Sequence, residues 1–117
     1  MAMTPTDFGG AVPIEGYGPG FVRLGGRVHR GAVVIHEGRA APWGGLEDRA
    51  ALLALAGRAD LLVLGLGPEM GRAPEALLDA CEAAGMRVEV MSTPSAARSY
   101  NVLLAEGRRV AAALLPT

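Results

Sequence analysis

One segment constrains this chain more than any other: LLVLGLG, Leu61 to Gly67. A strand with one wet face alternates polar and apolar residues. A strand covered on both faces does not, and that is the habit of parallel sheets. Leu61 to Leu66 and Val110 to Leu115 are apolar runs of six residues. Both are far shorter than the roughly 20 residues of a membrane-spanning helix. Buried strands fit their length, so the chain must place layers on both sides of a sheet.

The flanking pattern supplies those layers. Gly44-Gly45 leads into LEDRAALLALAG, a short helix ending at Gly57, with Glu47 and Asp48 at its positive N-terminal end. Pro74 opens PEALLDACEAAG as a first-turn proline, with Leu77, Leu78, Cys81 and Ala84 at helical spacing and Gly85 as its stop. MRVEVMS, Met86 to Ser92, is the next strand. Thr93-Pro94 pairs a capping hydroxyl with a first-turn proline and starts a third helix running to about Glu106. RRVAAALLP closes the chain as a buried strand whose alanines let a helix approach; its direction stays open. Upstream, FVRL, RVHR, AVVIH and RAAPW are short antiparallel strands separated by turn dipeptides such as Gly25-Gly26 and Glu37-Gly38. Pro42 belongs at an edge or a strand end. The crossover rule makes strands 61–66 and 87–91 parallel neighbours or near neighbours. The expected organisation is a flexible segment, 1–11, and one α/β domain, 12–117.

Composition removes several chemistries. The chain has 117 residues, a net charge of −1, and no lysine among its 11 basic residues. A phosphate-loop lysine, a Schiff-base lysine and a pyridoxal-phosphate anchor are therefore excluded. The arginines look scattered, which predicts no nucleic-acid partner. Cys81 is the only cysteine, so no internal disulfide forms. With His29 and His36 it falls short of the four or so ligands of structural zinc. Neither a metal nor a cofactor is expected. MAMTPTDFGG lacks the basic start and apolar stretch of a secretory signal. The expectation is a cytoplasmic protein with no integral membrane segment.

Asn101 is the only side-chain amide in the chain, and it follows Tyr100 on an apolar helical stripe. In open α/β sheets, ligands collect beyond the carboxyl ends of the strands. Two such ends are visible, Gly65 to Glu69 and Ser92 to Ser95. They predict a small pocket of Gly65, Leu66, Gly67, Arg72, Thr93, Ser95, Ala97, Tyr100 and Asn101, with Arg98 also within reach. Free N–H groups at the helix start would suit an anion. GLGPEMG is no dinucleotide loop: its third glycine comes one residue late, Pro68 lacks a donor, and Glu69 repels phosphate. Cys81 reads as core. No spacing marks a nucleophile with its base, so no catalytic residue is assigned.

IEGYGPGFVRLGGRVHRGAVVI, LLVLGLG with a downstream Arg and Pro, and EVMSTPSAARSYNVLLAEGRRVAAALLP together resemble the small α/β family that includes mitochondrial respiratory complex I assembly factor 3. The resemblance spans about residues 12 to 116. It falls on Tyr17, Gly18, Gly65, Gly67, Thr93, Ala97, Tyr100, Asn101 and Glu106. Leu66 and Ser92 depart from the pattern, standing where relatives often carry a hydroxyl and an Asp. The resemblance implies a three-layer α/β fold with a mixed central sheet and an added antiparallel β portion. It further implies a non-enzymatic assembly or interaction role with protein partners, membrane or respiratory-complex proteins among them. A homo-oligomer is compatible with it. The alternative is a hydrolase or transferase that acts on a small anionic metabolite through Thr93, Tyr100 and Asn101.

Overall fold

The computed structural model describes residues 11–117, so the segment expected to be flexible lies outside the described residues except for Ala11. Five short strands come first: β1 (Ile14–Gly18), β2 (Phe21–Leu24), β3 (Arg27–Arg30), β4 (Val33–His36) and β5 (Arg39–Pro42). Then follow α1 (Arg49–Leu53), β6 (Leu61–Gly65), α2 (Glu75–Ala83), β7 (Arg87–Met91), α3 (Thr93–Ala105) and β8 (Val110–Leu114).

The non-alternating run is β6, buried at all five positions. It lies between β8 and β7 and runs parallel to both. β4 pairs antiparallel with the other side of β8, and β5 with β4, giving the order β5-β4-β8-β6-β7. The central sheet is therefore mixed, and the direction left open for the last strand is parallel to β6 and antiparallel to β4. Pro42 ends β5, an edge strand, where its missing donor costs no ladder bond.

Alternate residues of the sheet feed two cores. Val33, Ile35, Leu61, Val63, Val110, Ala112 and Leu114 face α3 and the antiparallel sheet of β1, β2 and β3. Val34, Leu62, Leu64, Ala111 and Ala113 face α1, α2 and Trp43. Two helices, a five-stranded sheet, and a helix beside a small sheet make the three layers. The alanines of β8 let α3 sit close, with Ala96, Ala97 and Tyr100 buried in the contact.

All three helix starts differ from the expected ones; Pro74, expected in the first turn of α2, is its N-cap residue, with extended backbone. α1 begins three residues later than its apolar pattern, because Asp48 is its cap and accepts from the N–H groups of both Ala51 and Gly44. Glu47 thereby falls outside the helix. The cap of α3 is Ser92, whose hydroxyl accepts from Ser95 N–H at 3.3 Å. Thr93 is already helical, and its hydroxyl is engaged elsewhere. His29 and His36 lie on strands of different sheets.

Candidate functional site

The two reversals expected to meet do meet. Gly67 N–H donates to Thr93 Oγ1 at 2.9 Å, and Thr93 N–H donates to the Gly67 carbonyl at 2.7 Å. Thr93 Oγ1 then donates to the Leu115 carbonyl at 2.6 Å. One hydroxyl thus joins the ends of β6 and β8 to the start of α3. Gly65 has to be glycine here, since a Cβ would lie 2.8 Å from both Cα and Oγ1 of Thr93. Gly67 adopts φ 103°, a conformation that favours glycine.

The same contacts bury part of the place where a pocket was expected. Gly65, Gly67, Thr93, Ala97 and Tyr100 are buried, and Leu66, Ser95 and Asn101 are half-buried. Arg72 is exposed on the far face, in a hollow with Glu75, Leu78 and Val90. Arg98 lies on the α3 face, donating to Tyr17 Oη at 3.2 Å and Ser95 Oγ at 3.4 Å. The central sheet separates these two guanidinium groups, because successive connections cross opposite faces of it.

Asn101 reaches neither turn. Its Oδ1 accepts from Ile14 N–H and its Nδ2 donates to the Ile14 carbonyl, both at 2.8 Å. The amide imitates a neighbouring strand for β1 and pins the small sheet to α3. Tyr100 is fully buried one residue earlier, in the core shared by α3 and both sheets. Its Oη has no hydrogen-bond partner among the described residues. Burial holds the phenol neutral, its pKa pushed up to about 12. Cys81 is buried in the other core, and burial raises its thiol pKa, with Arg49 acting in the opposite sense.

A larger hollow lies at the opposite rim, below the start of β8 and the end of β4. It encloses about 430 Å³ between Val12, Leu104 and Val110 and the polar groups of His36, Glu37, Arg58, Arg108 and Arg109. Sequence reasoning did not find it: His36, Arg58 and Arg109 are 22 and 51 residues apart. The available signal was that each sits next to a turn or a strand end. Among the described residues no group of three or more His, Cys, Asp or Glu could hold a metal ion. Among the described residues no helix is long and apolar enough to cross a membrane.

A family model described as "Protein of unknown function (DUF498/DUF598)" matches residues 14–115. An uncharacterised protein of Rhodobacter capsulatus is 57% identical over 116 residues, covering 99% of this chain and 94% of its own. The mouse NADH dehydrogenase [ubiquinone] 1 alpha subcomplex assembly factor 3 is 32% identical over 99% of this chain and 66% of its own length. Among solved structures, an outer membrane protein from Bartonella henselae superposes with a TM-score of 0.81 at 34% identity, covering 94% of this chain and 98% of that one. A Mth938-like domain from Bordetella pertussis superposes with a TM-score of 0.79 at 26% identity, covering 99% and 92%.

Proposed function

The chain belongs to the family of proteins of unknown function DUF498/DUF598, and on that premise we propose that it acts through protein contacts, as an assembly or interaction factor. The observation that carries this reading is how the polar groups of the expected pocket are used. Thr93 hydroxyl, Ser92 hydroxyl and both ends of the Asn101 amide are engaged in internal hydrogen bonds. Hydrolysis or group transfer would need Thr93 and Tyr100 to touch a substrate, and both are sealed in the interior. The relationship to a mouse protein whose name describes it as an assembly factor supports the same reading.

The face offered to a partner in this proposal is the exposed side of α3 and the β7 edge. Val102 is 57% exposed there, beside Met91 and Leu103, with Arg98 and Glu89 at the border. Apolar centres with polar rims are the usual composition of protein interfaces. β7 ends the five-stranded sheet, so its outer backbone groups are open to an added strand.

Affinity capture from a native lysate of the source cells tests this. Recovery of membrane or respiratory-complex proteins is expected, with loss on Val102→Asp, a substitution at a solvent-exposed position. Recovery of nothing beyond the chain itself, or equal recovery by the variant, rejects the assignment.

A further inference from the structure

We propose that the lower rim carries a binding site for a small molecule bearing a phosphate or carboxylate group, separate from the protein-contact face. Although the chain has a net charge of −1, among the described residues three arginines and a single carboxylate line the 430 Å³ hollow there. A second hollow of about 350 Å³ adjoins it, lined by Arg27, His29 and Arg39 and sharing Gly38. The Glu37-Gly38 turn, with φ of 51° and 75°, is the tip between them. Five arginines drawn from four separate stretches of the chain therefore converge on one rim.

The site is built. Arg109 donates from Nε to the Arg58 carbonyl at 3.4 Å and from its terminal nitrogen to the Gly57 carbonyl, which fixes its plane. The Arg58 carbonyl is also 3.2 Å from His36 Nε2. A carbonyl only accepts, so in this contact the proton lies on His36 Nε2. The His36 side chain is only 10% exposed and forms part of the floor. Val12, Leu104 and Val110 make an apolar wall suited to a short carbon skeleton.

The carboxylates nearby hold their arginines loosely. Glu37 is 3.7 Å from Arg58 and Asp60 is 3.7 Å from Arg109, beyond direct hydrogen-bond length, and all four groups are more than half exposed. Glu15 is committed to the Gly26 N–H on the far side of the second hollow. Among the described residues Arg108 has no acidic partner within ion-pair distance. An incoming oxyanion can therefore take Arg108 outright and draw Arg58 from Glu37, in the bidentate geometry guanidinium offers. The volume lies within the range of small-molecule pockets. Among the described residues no Phe, Tyr or Trp lines either hollow, so the large stacking platforms that hold single-stranded nucleic acid are not found there.

Thermal-shift and calorimetric titrations of the purified chain with inorganic phosphate and with succinate, against sodium chloride at matched ionic strength, test the site. Saturable binding of either anion is expected, and which one binds distinguishes the two head groups. Arg108→Glu should weaken it at least tenfold, while Arg72→Glu on the far face leaves it unchanged. Both positions are exposed, and circular dichroism verifies that each variant is folded. Three results overturn the proposal: no saturable binding of either anion, equal weakening by both variants, or a single-stranded oligonucleotide outcompeting both anions. None of these depends on partner capture, so this site and the protein-contact reading fail separately.

Discussion

Tyr100 shows how one atom can set a testable pH limit. Its hydroxyl is buried without a hydrogen-bond partner among the described residues. Removing such a group is near neutral or stabilising, because its desolvation is uncompensated. Tyr100→Phe is therefore expected to change unfolding free energy by no more than about 1 kcal/mol, in the stabilising direction if at all. The phenol pKa is raised to about 12 by burial, above the ordinary 10. The folded protein thus keeps a proton that the unfolded chain has lost. Stability is whole below the unfolded value and falls as pH rises through the folded one. The loss between pH 10 and 12 amounts to roughly 3 kcal/mol. Urea denaturation across that window should show a steeper decline for the native chain than for Tyr100→Phe. Parallel declines would mean the phenol titrates freely.

At the scale of elements, the lone amide serves the joint between layers. β1 pairs with β2 on one side only, and Asn101 supplies the partner its other side lacks. Asn101→Ala leaves the N–H and C=O of Ile14 without that partner and should destabilise by about 1–3 kcal/mol. Hydrogen exchange should show β1 to β3 losing protection before β6 and β8. Uniform loss across the molecule would place the amide's effect elsewhere. The position was legible: an isolated Asn on an apolar helical stripe has to find partners. The identity of those partners was not, because Ile14 lies 87 residues earlier and an Ile backbone announces nothing. Thr93 is a similar case. Its place at a helix start could be read from Thr-Pro, but Ser92 could cap equally well. Only the arrival of Gly67 and Leu115 from two other strands commits the Thr93 hydroxyl to them.

For the whole molecule, the central sheet couples two cores. Ile35 packs in the core beneath α3, whereas Trp43 packs in the other, and both touch the same sheet. Ile35→Ala should cost about 2–5 kcal/mol. If residues 12–117 form one cooperative domain, the loss is reported fully by Trp43 fluorescence on the opposite face, with the same midpoint as circular dichroism. Separated midpoints would divide the chain into two units.

Local chemistry along the chain was enough to specify most strands, helices, turns and a sheet covered on both faces, since hydrophobic period and glycine or proline punctuation act within a few residues; the three-layer class came from the family resemblance. Tertiary structure alone decided what the rims contain. At the upper rim, close approach of Gly65 and Gly67 brings the Thr93 hydroxyl into internal hydrogen bonds. At the lower rim, chain crossings gather arginines that are distant in sequence around one hollow. Cavities and charge clusters arise from such long-range juxtaposition, to which no local pattern responds.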